Sequence, residues 1–212
     1  MSEFDGVNGM NAVKGTKGYE SGVDLFAQAS LNLEFEVINR DFLPFLPSVG
    51  SRVLDAGCGV GQNAAALAKL GYQVVAVEPL KEFLNIAKAT HNEHNISWIE
   101  DSLPRLKELQ NARQSFDFIL LDGVWHHLNP GERRTCIQRL SSLLSKGGVC
   151  AISLRNGPAG MGKHVFPTSD EELLQYAEEF DLQVVLHLQN QPSKIPNKAE
   201  VIWSRMALKK RS

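Results

Sequence analysis

Asp55, Gly57, Cys58, Gly59 and Gly61 fall within ten residues, Val53-Leu54-Asp55-Ala56-Gly57-Cys58-Gly59-Val60-Gly61-Gln62. Alternating glycines let the backbone bend sharply and let a ligand approach where a Cβ would intrude. The apolar residues before them read as a short buried strand. The alanine-rich run from Gln62 to Leu70 reads as a helix closed by Gly71. Its N-terminus is expected to aim free N–H groups and partial positive charge at the loop. A strand, a glycine loop and a helix in this order form a cradle for a nucleotide-like ligand.

Further chemistry-bearing residues follow at strand ends. Glu78 closes the apolar run Gln73–Glu78, 17 residues after Gly61. A carboxylate there can accept hydrogen bonds from both ribose hydroxyls of a nucleoside; it can also cap the next helix. Asp122 ends the run Phe116–Asp122 and leads into Gly123-Val124-Trp125-His126-His127-Leu128. Ligands of open parallel sheets sit at the carboxyl ends of the central strands, so this loop should face the reacting groups. His126 or His127 can take a proton near neutral pH; either can equally serve packing. Arg155 follows the run Val149–Leu154, and its guanidinium suits an anionic acceptor or a surface ion pair. Residues 157–168 form a glycine-rich loop that can fold over an acceptor with Met161, His164 and Phe166 inward.

Asp-x-Gly-x-Gly-x-Gly after an apolar strand resembles the first motif of the class I S-adenosylmethionine (SAM) dependent methyltransferases. The dinucleotide fingerprint is Gly-x-Gly-x-x-Gly; here the third glycine comes one residue early and Asp55 precedes the first by two. The resemblance covers residues 20–208 and implies an α/β fold. This is a three-layer αβα sandwich around a seven-stranded, mostly parallel, Rossmann-like sheet with an antiparallel C-terminal strand. It implies SAM as cofactor, S-adenosylhomocysteine as product and in-line methyl transfer. It assigns the cofactor to Asp55, Gly57, Cys58, Gly59, Gly61, Glu78, Leu80, Asp101, Ser102, Leu103, Asp122 and Gly123. In Asp101-Ser102-Leu103-Pro104, Asp101 would accept from the adenine amine, or cap a helix starting near Leu103. Leu80 would pack on the adenine face. Tyr19, Phe26, Trp125, Arg155 and His164 are the expected acceptor-binding residues. The motifs leave the acceptor open. Asp122-Gly123-Val124-Trp125 is not the Asp/Asn-Pro-Pro-aromatic motif of nucleic-acid amino-methylating enzymes, and no metal is expected. A non-catalytic SAM-binding protein and a nicotinamide-dependent oxidoreductase are the alternatives.

The elements that must position these residues follow from periodicity. Leu31, Phe35, Ile38, Phe42 and Phe45 recur at helical spacing, which predicts a helix over Leu31–Leu46; the resemblance implies that 19–47 form an N-terminal lid over the cofactor and acceptor mouth. Residues 1–18, poor in large apolar side chains, read as a flexible tail, and 19–212 as one domain. Strands are predicted at Arg52–Ala56, Gln73–Glu78, Ile96–Glu100, Phe116–Asp122 and Val149–Leu154, alternating with helices. A helix to about Phe180, strands at Leu182–Gln189 and Glu200–Leu208 and a turn over 191–197 complete the chain. Two strands without an intervening helix imply an antiparallel pair.

Composition narrows the class. A 212-residue chain with 43% hydrophobic and 22% charged residues can bury a core as one globular domain. A net charge of −2 gives no global attraction for nucleic acid. Lys209-Lys210-Arg211 reads as a solvated end. Residues 1–11 lack the pattern of a signal peptide, and no run approaches a membrane span. Three cysteines without paired spacing fit reduced thiols in a cytoplasm. A small-molecule acceptor is the expected partner, with no membrane.

Overall fold

The computed structural model describes residues 13–110, 116–195 and 198–211. Seven strands form one sheet in the order β3-β2-β1-β4-β5-β7-β6. They are β1 Arg52–Ala56, β2 Gln73–Glu78, β3 Ile96–Glu100, β4 Phe116–Leu121, β5 Leu144–Asn156, β6 Leu182–Pro192 and β7 Ile202–Lys210. β1 to β5 pair in parallel, and β7 runs antiparallel between β5 and β6. The chain order reverses between β1 and β4, which opens a crevice at their carboxyl ends.

The central strands are apolar on both faces because both are covered. Val53, Leu54 and Ala56 of β1 and Phe118 to Leu121 of β4 are fully buried. One face packs against α5 Pro130–Leu143 and α6 Asp170–Glu179 through Ile137, Leu140 and Leu173. The other packs against α3 Gln62–Lys69 and the N-terminal segment through Leu67, Phe35 and Phe42, and α4 Lys81–Thr90 connects β2 to β3. Each fully buried side chain of this size contributes about 1.5–3 kcal/mol of apolar burial. α5 begins with Pro130 at its first turn behind a capping box. Asn129 Oδ1 accepts from Glu132 N at 3.0 Å, and Glu132 Oε2 accepts from Asn129 N at 2.9 Å.

The expected single helix over Leu31–Leu46 is broken into pieces. α1 spans Val23–Leu31, α2 is the short Phe35–Ile38, and a 3-10 turn covers Arg40–Phe45. Pro44 supplies no N–H and disfavours the helical form of the residue before it. Phe35, Ile38 and Phe42 are still buried, so the apolar spacing reported the buried face and not the continuity. Of the expected tail, positions 1–12 lie outside the described residues. Over 13–18 the expectation fails: Lys14–Thr16 form a 3-10 turn, Thr16 is buried, and Lys17 O accepts from Lys163 N at 2.8 Å.

Smaller corrections concern ends. No helix begins near Leu103; a 3-10 turn covers Lys107–Leu109. Ser145–Gly148 is a bulged opening of β5, where pairing moves from Phe116↔Leu144 to Phe118↔Val149. β6 runs to Pro192, which shortens the expected turn, and positions 196 and 197 lie outside the described residues. Lys209 and Lys210 belong to β7, and Lys210 Nζ donates to Ser141 O at 2.7 Å and Leu144 O at 3.0 Å. Among the described residues, no helix is long and apolar enough to cross a membrane.

Candidate functional site

The glycine loop joins β1 to α3. Gly57, Gly59 and Gly61 have φ of 82°, 56° and 86°. A Cβ on Gly57 would lie 2.6 Å from Val124 Cγ2, and one on Gly61 would lie 2.6 Å from the Trp98 ring. The glycines therefore let the loop press against its neighbours as well as against a ligand. Its donors are largely committed. Gly57 N and Cys58 N donate to Val77 O at 2.8 and 2.9 Å, Gly59 N to Glu78 Oε2 at 2.9 Å, and Gly61 N to Cys58 O at 2.9 Å. These loop N–H groups are thus spent within the protein, and a phosphate cradle built on the loop itself would need them free.

Three carboxyl groups surround this loop. Asp55 is 1% exposed, and its Oδ2 has no hydrogen-bond partner among the described residues. Burial, then the charges of Asp122 and Glu78, push its pKa up to about 8. Burial lifts Glu78 to about 7 against the hydrogen bonds it accepts from Leu80 N and Gly59 N, both 2.9 Å. Asp122 Oδ1 accepts from Ser153 Oγ at 2.8 Å, and Oδ2 lies 3.4 Å from Asn63 Nδ2 and 3.5 Å from Asn39 Nδ2. None of the three forms a salt bridge among the described residues. Buried, unpaired carboxyls favour a cationic ligand and disfavour a pyrophosphate.

A cavity of about 520 Å³ opens at the carboxyl ends of the strands. Gly57, Cys58, Gly59, Glu78, Asp101, Ser102, Leu103, Asp122 and Gly123 line it, with Tyr19, Phe26, His127 and His164 opposite or beyond. Asp101 also holds its own loop: its oxygens accept from Ser102 N at 2.7 Å and Glu108 N at 2.8 Å. Other expected residues are not in the wall. Asp55 and Gly61 support the loop, and Leu80 is buried with Val60 and Phe83. Trp125 is fully buried in the core, so it is not an acceptor contact. His126 is 5% exposed, its ring centroid 4.1 Å from that of His127, and burial pushes its pKa down to about 2. Arg155 lies at a separate cavity and donates to Pro158 O at 2.8 Å.

His127 is held in one tautomer. Its Nδ1 is 2.9 Å from His164 O, a carbonyl that only accepts, so Nδ1 carries the proton. Nε2 is then an acceptor, and Tyr19 OH donates to it at 3.0 Å. Burial raises Tyr19 to about 12 and lowers His127. Phe26 and Phe83 meet the Tyr19 ring edge-on, at 5.2 and 5.8 Å between centroids.

Several wall residues escaped the sequence reading. Thr16, Gln62, Asn63, Lys194, Trp203 and Arg205 all contribute. Arg205 is 4% exposed on β7. Its guanidinium carbon lies 5.4 Å from the Phe42 ring centre and 5.9 Å from that of Trp203. Asp41 Oδ2 lies 3.5 Å from Arg205 Nε and accepts from Lys194 Nζ at 2.8 Å. Partial burial raises the Asp41 carboxyl, but Lys194, Arg205 and Arg40 outweigh it and hold the pKa below the usual value. A charged residue inside the apolar run Val201–Leu208 was the signal available in the sequence.

Comparison with known proteins places this geometry. Residues 53–148 match a family described as a methyltransferase domain. An uncharacterised methyltransferase of Mycobacterium tuberculosis is 35% identical over 111 residues, covering 50% of this chain and 54% of its own. A ubiquinone biosynthesis O-methyltransferase of Methylocella silvestris is 31% identical over 99 residues, covering 47% of this chain and 38% of its own. The match thus spans about half or less of these curated relatives. Among solved structures, the Burkholderia thailandensis 1,6-didemethyltoxoflavin-N1-methyltransferase, with bound 1,6-didemethyltoxoflavin and S-adenosylhomocysteine, has a TM-score of 0.67. It is 20% identical, with 93% of this chain and 85% of that one covered. TehB from Haemophilus influenzae also gives 0.67 at 19% identity, over 93% of this chain and 67% of its own. Residues 53–148 thus match a methyltransferase domain, and the sheet as a whole has the fold of the SAM-dependent methyltransferase structures that it resembles.

Proposed function

We propose that this chain transfers a methyl group from SAM to a small-molecule acceptor by in-line displacement. The observation that carries the reading is one cavity with two unlike ends. Its acidic end contains Glu78 and Asp122, and it extends past Gly123 to His127 and Trp203, leaving room for an acceptor beside the cofactor. When bound, SAM supplies an electrophilic methyl on a positively charged sulfur that leaves with the bonding pair. Glu78 is suited to accept the ribose hydroxyls with the lone pairs left after Gly59 N and Leu80 N. Asp101 and Ser102 are assigned the adenine edge. Asp122, oriented by Ser153 and the two asparagines, is assigned the methionine end. Positioning supplies most of the rate in such a displacement. Tyr19 and His127 give a proton a path when the acceptor must lose one. The Tyr19 oxygen accepts it as its own proton passes to His127 Nε2.

The names of two of these relatives, the ubiquinone biosynthesis O-methyltransferase and the 1,6-didemethyltoxoflavin-N1-methyltransferase, point to small-molecule chemistry, which supports the acceptor class. Three buried free thiols suit a reducing, cytoplasmic setting. The oxidoreductase alternative loses ground to the committed loop donors and the buried carboxyls. The test is a thermal shift with SAM, S-adenosylhomocysteine and NAD in parallel. At 100 times its dissociation constant a ligand stabilises by about 2.7 kcal/mol. Shifts with both adenosyl ligands and none with NAD are expected; the reverse pattern would overturn the proposal. A non-catalytic role would show as adenosyl binding with no methyl transfer across an acceptor screen.

A further inference from the structure

The part of the cavity wall formed by β7 and the residues just after β6 is basic. Arg205 and Lys194 share Asp41, at 3.5 and 2.8 Å, so two cations face one anion and a charge of about +1 is left over. Arg40, also near Asp41 at 3.9 Å, has a side chain 73% exposed and is screened by solvent. Arg205 is 96% buried, and its Nη1 has no hydrogen-bond partner among the described residues. A buried guanidinium with an idle donor is costly unless something completes it. Arg205 is on β7, its cross-strand neighbour Ser153 of β5 donates to Asp122 Oδ1 at 2.8 Å, and among the described residues Asp41 is the carboxylate with which Arg205 forms an ion pair. The same cavity is lined by the apolar Leu33, Ile38 and Leu128 and by Trp203, whose ring centre lies 5.9 Å from the Arg205 guanidinium carbon.

From this juxtaposition we infer that the methyl acceptor is a small carboxylic acid with an apolar body, whose carboxylate docks on Arg205 and Lys194. The inference deepens the methyl-transfer reading and rests on it for the word acceptor; the anion site stands on its own geometry. The surplus of one positive charge matches a monoanion better than a phosphate dianion. The planar guanidinium fork pairs with a carboxylate through two parallel hydrogen bonds. Anchored there, the acid presents its far end toward Asp122 and Gly123, where the cofactor's reactive end is assigned. Arg155, which the sequence suggested for this task, lies outside the cavity.

The experiment screens one- to three-ring carboxylic acids against their matched carboxamides, by thermal shift on the protein with and without saturating S-adenosylhomocysteine. Acids are expected to bind at least about tenfold more tightly than their amides. R205Q should abolish that preference while S-adenosylhomocysteine affinity stays within about twofold, and R205K should keep part of it. K194Q, at a more exposed position, should weaken acids several-fold and serves if R205Q does not fold. Equal binding of acids and amides, no acid binding, or a preference that survives R205Q overturns the inference. Acid preference without any adenosyl binding would instead sink the methyl-transfer reading and leave the anion site standing.

Discussion

The two ends of the cavity carry opposite charge on the same sheet. At β1, β2 and β4 the wall is acidic, and Asp55, Glu78 and Asp122 form no ion pair among the described residues. At β7 it is basic, with Arg205 and Lys194 sharing Asp41. Carboxyls without an ion pair favour a cationic visitor at the first end, and two cations sharing one carboxylate favour an anionic one at the second. The acidic end suits a sulfonium and an ammonium. The basic end suits a monoanion. On the proposed reading this polarity orients the two ligands before any shape complementarity acts.

Removing the acid that defines the first end should have the largest effect. Glu78→Ala deletes a buried carboxylate bonded to two backbone N–H groups of the site. We expect SAM affinity to fall about a hundredfold or more, on the scale of charged hydrogen bonds lost in a buried site. Calorimetry reads the affinity, and circular dichroism should still show the folded chain. An unchanged dissociation constant would remove Glu78 from the cofactor site.

A change of pH should move the same end by less. Asp55 and Glu78 are raised to about 8 and about 7, so folding takes up protons there. The stability they contribute is fully present below their ordinary values near 4 and is lost as pH rises through 7 to 8. His126 and His127 are lowered, so their contribution is present above pH 6.5 and lost only below it. Between pH 6.5 and 8.5 the carboxyls therefore act alone, and the melting temperature of the ligand-free protein should fall. A bound cation favours the ionised carboxyls. SAM affinity should rise roughly tenfold over that window, and S-adenosylhomocysteine, which lacks the sulfonium charge, should gain less. Parallel pH profiles for the two ligands would break the electrostatic account of this end.

The acidic end was largely legible in the sequence and the basic end was not. Asp55, the alternating glycines, Glu78 and Asp101-Ser102 are close in sequence to the strand ends that present them, so spacing together with the family resemblance located them. Arg205, Lys194 and Asp41 lie 11 to 164 residues apart and meet only because β7 inserts between β5 and β6 and the N-terminal segment folds across. Nothing local announces such a meeting. The sheet itself was readable because buried parallel strands are continuous apolar runs. The N-terminal segment was misread because the same apolar spacing served three short elements separated at Asn32 and Asn39. The loop's own hydrogen bonds were not readable either: a glycine motif shows where the backbone bends, but not where its donors point.

Between the two ends stands the Tyr19–His127 pair, and it tests whether the boundary does more than separate them. Tyr19→Phe keeps the ring against Phe26 and Phe83 but removes the proton given to His127 Nε2 at 3.0 Å. That nitrogen is then left as a buried acceptor without a donor, which costs about 1–3 kcal/mol of local stability. If the pair relays a proton, kcat should drop several-fold, most at low pH, with the SAM dissociation constant unchanged. If Tyr19 only closes the cavity over its contents, the dissociation constants of both ligands should rise together while the pH profile of kcat keeps its shape. Of the three perturbations this is the smallest, because a displacement at a methyl carbon depends first on alignment, and the hydroxyl contributes to alignment only through the strap that carries it.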